Sequence, residues 1–224
     1  MGPSSRTHRL AGTVPGMADL DTFLNSLLNK ALALNPDDAM AWSNRGNSLA
    51  RLGRMEEALR SYDEGITRDP EWSQVWLNKA TTLRDMERYP EALRCFREGT
   101  RLEPGEATNW NDSAICQLQA GHARESLESF DRALALTPGN PGIHCNKAEA
   151  LCTLDRREEA LPLFDRALAL ASEMPGAWFG KGRALMNLKR GAEAERCLRK
   201  FLELAPPGHS LRPIVESILA NGRS

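Results

Sequence analysis

The sequence predicts an all-α fold, a solenoid in which antiparallel helix pairs stack on one another, and two periodic features carry this prediction. Four of the five tryptophans lie on one lattice of 34 residues, at Trp42, Trp76, Trp110 and Trp178. Prolines share the same period, at Pro36, Pro70, Pro104, Pro138 and Pro206. Because two unrelated residue types share one period without insertions or deletions, the chain is built of repeats.

The period divides the chain into five units with a common pattern. The units are residues 39–72, 73–106, 107–140, 141–174 and 175–208. In the first half of each unit, a tryptophan position, a small residue and a leucine position have the spacing i, i+4 and i+7, which places them on one helix face. A small, an aromatic and a second small residue have the same spacing in the second half. Each unit is therefore a predicted helix pair, and it must stack on its neighbours to bury its apolar faces.

Glycine and proline mark the ends of these helices. Gly53 and Gly121 fall between the two halves of their units, where the chain has to reverse direction. A proline closes four of the five units, and proline cannot continue a helix. Pro162 lies well inside a second helix, so we expect it to remove one backbone hydrogen bond and to bend the fourth unit.

Two further helices are predicted outside the five units. Residues 18–38 repeat the pattern of a second helix and form a half-repeat. Residues 209–220 carry apolar side chains at i, i+3, i+4, i+7 and i+8, and are predicted to cap the apolar edge of the fifth unit. We interpret residues 1–17 as a disordered leader, or as an extension upstream of a protein that starts at Met17, because glycine and proline break any helix there.

The pattern resembles the tetratricopeptide repeat, whose signature is W-x-x-L-G-x-x-Y, then A-x-x-x-F, then A and P. The resemblance covers residues 39–208. It implies a right-handed superhelical solenoid of antiparallel helix pairs, with the first helix of each pair lining an inner groove. Among the departures from the signature, His144 occupies a tryptophan position and Phe201 replaces a small residue. The fifth unit must therefore pack differently against the C-terminal segment of the chain.

The resemblance also implies which side chains face the groove. The sixth position of the units holds Asn44, Asn78, Asp112, Asn146 and Gly180, and Asn47 lies at another groove position. Each amide can offer donors and an acceptor to the backbone of an extended peptide. The later units add an apolar strip with two acidic residues, and its members are Ile115, Leu118, Phe179 and Met186, with Asp112 and Glu149. The alternative is that the asparagines are family consensus and that part of the strip packs against neighbouring helices.

These residues predict a non-catalytic adaptor or scaffold whose partner is a protein or peptide with hydrophobic and basic residues. An alternative uses the basic residues of the fifth unit, which are Lys189, Arg190, Arg196, Arg199 and Lys200. Such a run is usually a solvated helix face, but it could dock an acidic partner or the acidic middle units of a second copy. The protein would then be a self-associating scaffold.

Composition argues against several other function classes. Lys and Arg number 29 and Asp and Glu 30, so the net charge of −1 argues against a helical-repeat RNA binder. The repeats contain no catalytic set, phosphate loop or metal-ligand spacing, and we expect neither an enzyme nor a cofactor. No apolar run reaches the length of a membrane span.

An odd number of cysteines, five, without a secretory signal predicts reduced thiols and a cytoplasmic protein.

Overall fold

The computed structural model describes residues 17–221, and these residues form twelve α-helices and no β-strand. The helices are α1 Met17–Leu34, α2 Ala39–Arg51, α3 Met55–Arg68, α4 Ser73–Asp85, α5 Tyr89–Leu102, α6 Ala107–Gln119, α7 Ala123–Leu136, α8 Pro141–Thr153, α9 Arg157–Leu170, α10 Pro175–Asn187, α11 Gly191–Leu204 and α12 Arg212–Asn221. The all-α prediction is confirmed. The predicted leader lies outside the described residues except for Met17, which begins α1.

The chain divides into two compact units, Met1–Glu71 and Trp72–Ser224. In the described part of the first unit, α2 and α3 form a helix pair and α1 packs against α2. The second unit contains the pairs α4–α5, α6–α7, α8–α9 and α10–α11, and each pair packs on the next. Helix α12 packs against α11. Within the second unit, the four pairs stacked in this way form a solenoid of the kind that the repeats predict.

A tight turn of one type joins the two helices of every pair. The turn residue has a positive φ in all five turns, at Gly53, Glu87, Gly121, Asp155 and Lys189. In the third turn, the backbone N–H of His122 donates to the carbonyl of Gln117 at 2.8 Å, which closes the end of α6. The left-handed conformation costs a residue with a Cβ about 1–2 kcal/mol, so glycine suits this position best.

Replacing Gly121 with alanine is therefore expected to lower the free energy of unfolding by about 1–2 kcal/mol. Its φ is 84°, and no atom lies within 4 Å of an added Cβ, so the loss comes from backbone strain and not from a clash. The matched change Glu87→Gly, at the same position of the preceding turn, relieves such strain and should be neutral or stabilising. Urea denaturation followed by circular dichroism measures both, and an unchanged midpoint for Gly121→Ala would refute the argument.

In the first, third, fourth and fifth repeats, the side chain at the tryptophan position bonds to the backbone of the loop before the pair. The indole Nε1 of Trp110 donates to the carbonyl of Pro104 at 2.9 Å. His144 occupies the same position in the fourth repeat, and its Nε2 lies 2.9 Å from the carbonyl of Pro138. With its proton on Nε2, the imidazole makes the hydrogen bond that the indole makes elsewhere. The fourth repeat thus keeps its geometry without a tryptophan.

Aromatic rings fill the space between the helices of each pair. The rings at the second-helix lattice position are almost completely buried, and they are Tyr62, Phe96, Phe130 and Phe164. Phe201, the departure in the fifth repeat, is also fully buried. Its ring centroid lies 5.5 Å from that of Phe179 and 5.2 Å from that of His209, and it shares a cluster with Val215 of α12. The altered packing of the fifth repeat is therefore a contact with α12.

Pro162 lies inside α9, as the sequence predicted, and its side chain is exposed. Without an N–H, it cannot donate to the carbonyl of Glu158, one turn earlier. The helix nevertheless continues from Arg157 to Leu170.

Candidate functional site

A polar cavity of about 380 Å³ lies between α4 and α6 in the second unit. Asn78 of α4 and Asp112 of α6 both line it, so the structure brings together two of the residues predicted at the sixth position of the units. Glu103 and Glu106, from the segment between α5 and α6, contribute two further carboxylates. Among the described residues that line the cavity there is no lysine or arginine. The cavity therefore suits a cationic group.

Hydrogen bonds connect three of these sixth-position residues, Asn78, Asp112 and Asn146, to neighbouring side chains. Asn146 Nδ2 donates to Asn111 Oδ1 at 3.0 Å, and Asn111 Nδ2 donates to Asp112 Oδ1 at 3.3 Å. At the other side of the cavity, Gln74 Nε2 donates to Asn78 Oδ1 at 2.9 Å. An amide has two donor hydrogens and an oxygen with two lone pairs, so one such bond does not exhaust it. Asn146, Asn111 and Asp112 are thus linked by hydrogen bonds, and Asn78 is bonded separately to Gln74.

Burial shapes the electrostatics of Asp112. The side chain is partly buried, and loss of hydration raises the pKa of its carboxyl above the usual value. The charge of Arg84 and the hydrogen bond from Asn111 oppose this shift without cancelling it. The negative charge of Asp112 is thus incompletely compensated in the folded protein, and a cation in the cavity would stabilise it.

We expect Asp112→Asn to raise the melting temperature at pH 7. A carboxyl whose pKa is raised by folding binds its proton more tightly in the folded state, so its charged form opposes folding at neutral pH. The neutral amide removes this penalty and can still accept from Asn111. The gain should shrink as the pH falls through the raised pKa and vanish well below 3.8, where the acid is protonated in both states.

Thermal unfolding at several pH values measures this effect. Glu128→Gln on α7 is the matched control, because Glu128 is exposed and lies outside the cavity. A lower melting temperature for Asp112→Asn at pH 7 would contradict the electrostatic argument.

The second predicted acid, Glu149, is already paired. Arg183 of α10 donates to it, and the Arg183 guanidinium lies 5.9 Å from the ring centroid of Phe179. Burial raises the pKa of Glu149, and the charge of Arg183 acts in the opposite direction. Gly180 leaves room for this arrangement, because a Cβ there would collide with the carboxylate of Glu149 and with the ring of Phe164. Glu149 therefore serves an internal ion pair across two repeats.

The predicted apolar strip is spread over three local environments. Ile115 and Leu118 are partly buried and pack against the core between α6, α7 and α8. Phe179 packs against the cluster shared by α10, α11 and α12. Met186 is 41% exposed and lines a separate cavity of about 370 Å³ with residues of α11 and α12. Only Ile115 and Leu118 share a helix with Asp112.

The first unit contains the two remaining groove candidates. Asn44 is exposed on α2. Asn47 is partly buried, and its Oδ1 accepts a hydrogen bond from the hydroxyl of Tyr62 at 2.8 Å. Asn47 therefore helps to fix the buried tyrosine within its own repeat.

Three of the five basic candidates of the fifth repeat are paired with acids of α11. Arg190 makes two hydrogen bonds of 2.7 Å to the carboxylate of Glu193. Arg199 pairs with Glu195, and Lys200 pairs with Glu203 at 2.7 Å. In the described part of the chain, Lys189 and Arg196 are the two basic candidates without an ion pair.

Sequence reasoning did not single out Asn111, Gln74 or Arg183. Gln74, Asn111 and Arg183 lie at the second, fifth and ninth positions of their units, and the family resemblance assigns all three positions to the groove. The sequence therefore contained the information needed to select them. Their partners could not be anticipated, because Asn146 and Asn111 are 35 residues apart and Arg183 and Glu149 are 34 residues apart. These contacts depend on how neighbouring repeats are placed.

The thiols show no sign of special chemistry. None of the five cysteines forms a disulfide within residues 17–221. Burial raises the pKa of the Cys145 thiol to about 11 and also raises that of Cys152, so both are protonated at neutral pH.

The described residues contain no group of three or more His, Cys, Asp and Glu side chains that could hold a metal ion. None of the described helices combines the length and the apolar character that crossing a membrane requires.

Comparison with known proteins identifies the family. Models of the tetratricopeptide repeat match residues 39–71, 77–141 and 145–209, which is most of the chain. The chain therefore belongs to the tetratricopeptide repeat (TPR) family, whose members act as protein-interaction scaffolds. None of the curated proteins compared with the chain matches it significantly.

Solved structures agree on the fold. YrrB, described as a TPR protein with an unusual peptide-binding site, is 19% identical, with a TM-score of 0.69 over 86% of this chain and 99% of YrrB. PilW, a type IV pilus biogenesis factor, is 19% identical, with a TM-score of 0.74 over 83% of this chain and 86% of PilW. MamA from residue 41 to its end, from Desulfovibrio magneticus RS-1, is 18% identical, with a TM-score of 0.69 over 74% of this chain and 94% of that MamA chain. At such identities the likeness extends to the fold alone.

Proposed function

We propose that the chain is a non-catalytic adaptor or scaffold that binds an extended segment of a partner protein along α4, α6 and α8. A lysine or arginine of this segment occupies the cavity lined by Asn78 and Asp112. The observation that carries the proposal is the charge of this cavity, whose lining holds three carboxylates and, among the described residues, no basic side chain. Membership of a protein-interaction family supports a protein as the partner, and YrrB provides an example of a TPR protein with a peptide-binding site.

Each part of the site has a role in this proposal. Asp112 pairs with the cation of the ligand, which compensates a charge that is costly to bury without a partner. Asn78 and Asn146 bond to the ligand backbone, where each buried amide left without a partner would cost about 1–3 kcal/mol. Ile115 and Leu118 keep part of their surface accessible and can contact an apolar side chain of the ligand. The segment selected should therefore be basic and partly hydrophobic.

The alternatives receive less support from the contacts. Docking through the basic residues of the fifth repeat would use side chains that already pair with Glu193, Glu195 and Glu203. Exposed pairs of this kind contribute little energy but reduce the local field that would attract an acidic surface. An RNA-binding function lacks the excess positive charge that phosphate binding requires, since the net charge is −1.

Selection from a random peptide display library tests the proposal without a known partner. We expect the protein to enrich peptides that combine a lysine or arginine with apolar residues. The double variant Asn78→Ala with Asn146→Ala should weaken binding of a selected peptide by about tenfold, the equivalent of one or two hydrogen bonds. Arg199→Glu with Lys200→Glu on α11 is the control and should change the affinity much less.

Circular dichroism of both double variants establishes that they remain folded. The opposite ranking of the two variants would show that the protein docks through its basic helix, and the groove proposal would then have to be abandoned.

A further inference from the structure

A second cavity in the second unit, of about 550 Å³, lies among α5, α6 and α7. None of the predicted groove residues lines it. Its volume is in the range of ligand-binding pockets, which is about 300–1,000 Å³. The cavity therefore belongs to a surface different from that of the proposed groove.

The cavity lies where an ion pair of the repeat is missing. In the fourth and fifth repeats, a lysine of the first helix pairs with an aspartate sixteen residues earlier, as Lys147 with Asp131 and Lys181 with Asp165. The corresponding residues of the third repeat are Ser113 and Arg97, both of which line the cavity. The hydroxyl of Ser113 and the guanidinium of Arg97 cannot form such an ion pair, so the cavity remains at the junction between α5 and α6.

At two further positions around this cavity, the third repeat differs from the other repeats. The buried leucine position of the first helix, seen in Leu83 and Leu151, is Gln117 in the third repeat. The arginine that pairs with glutamate in the turns of the neighbouring repeats, as Arg156 does with Glu159, is His122. Four departures from the repeat thus meet around one cavity.

These departures place hydrogen-bond donors in the lining of the cavity. Ser129 Oγ donates to Gln117 Oε1 at 2.9 Å, so the oxygen of Gln117 is used and its Nε2 hydrogens remain for a ligand. In residues 17–221, the side chains of Arg97, Ser113 and His122 make no hydrogen bond or ion pair. A guanidinium, an amide N–H and a hydroxyl together match the oxygens of a carboxylate.

The other residues that line the cavity indicate which group of the ligand would lie beside its carboxylate. The indole of Trp110 and the side chain of Leu93 form an apolar wall. Arg101 adds a positive charge but is paired with Glu98 at 2.9 Å, and Glu125 adds a negative charge to the lining. A ligand with a carboxylate beside an apolar group fits this wall, with Arg97 as its main ionic partner and Glu125 as an opposing charge.

We propose that the α5–α7 cavity is a second interaction site, which binds a glutamate or aspartate side chain of a partner protein together with a neighbouring apolar residue. The occupant is a protein segment because the chain is a TPR protein and this class of repeat binds proteins. The chain would then hold two segments of opposite charge, a basic one at the Asn78–Asp112 cavity and an acidic one here.

Binding of two short peptides tests this site. The probe is a fluorescein-labelled peptide, Leu-Glu-Leu-Glu-Leu, with blocked ends, and the matched control carries glutamine at both glutamate positions. Fluorescence anisotropy at low salt should show that the protein prefers the glutamate peptide by about tenfold, as one charge-assisted hydrogen bond would give. Glu125→Gln should increase the affinity for the glutamate peptide, because it removes the opposing charge.

A variant that restores the repeat provides the decisive control. Arg97→Asp with Ser113→Lys installs the pair found in the fourth and fifth repeats, and it should abolish the preference without loss of stability in circular dichroism. Gln117→Leu restores the leucine position and should act in the same direction. Asn78→Ala with Asn146→Ala should leave binding of the glutamate peptide unchanged, which separates this site from the groove. Equal binding of the two peptides, or a preference retained in the restored variant, would overturn the proposal.

Discussion

Replacing Phe201 with alanine is expected to lower the free energy of unfolding by about 3–5 kcal/mol, the usual cost of deleting a buried aromatic ring. The ring is fully buried and contacts Phe179, His209 and the cluster that contains Val215. Its removal would take away part of the surface on which α12 packs against α11. Because a domain is stabilised by only about 5–15 kcal/mol, the loss should be evident as a large fall in the urea midpoint.

The control for this variant is Leu136→Ala on α7, whose side chain is 42% exposed and should contribute much less. The release of α12 can be followed independently by the binding of an apolar dye to the uncovered surface. If Phe201→Ala had the stability of Leu136→Ala, the ring would not be the contact that joins the fifth repeat to α12.

Reversing the charge of Asp112 is expected to have the largest effect on binding. Asp112→Lys would place a like charge beside the basic residue of a selected peptide, and such a juxtaposition costs several kcal/mol. We expect the affinity to fall by about 100-fold, the equivalent of roughly 3 kcal/mol. Isothermal titration calorimetry with a peptide from the display selection measures the change.

The pH dependence of the wild-type protein should agree with this result. Because the pKa of Asp112 is raised, acidification neutralises it sooner than an exposed aspartate, and affinity for a basic peptide should fall as the pH decreases through that range. Asp112→Asn should bind more weakly at neutral pH and should show a smaller pH dependence, which then comes from Glu103 and Glu106. Unchanged affinity in Asp112→Lys would show that the basic residue of the ligand lies elsewhere.

The helix pairs could be predicted from sequence because their signals are local and periodic. The spacing of tryptophan, small residues and proline determines where each helix lies and which face it buries. The turns were harder to predict from the sequence. Glycine indicates a positive φ at Gly53 and Gly121, but Glu87, Asp155 and Lys189 adopt the same conformation without such an indication. In those three turns, the hydrogen bonds at the ends of the helices impose a backbone that the residue type does not favour.

The candidate site was predicted less completely, because its contacts join different repeats. The sequence indicated Asn78 and Asp112, and the structure brings them to one cavity. It could not indicate that Asn111 connects Asn146 to Asp112, or that Arg183 pairs with Glu149. Which side chains meet depends on the rotation and spacing of successive pairs, and the lattice alone does not specify either quantity.

Photocrosslinking of a selected basic peptide tests the proposed function most directly. The photoreactive residue p-benzoylphenylalanine is placed at Thr81, which lines the Asn78–Asp112 cavity, or at Arg196, which is exposed on α11. The proposal predicts that the peptide crosslinks to the protein labelled at Thr81 and that excess unlabelled peptide suppresses this product. Crosslinking at Arg196 with none at Thr81 would contradict the proposal.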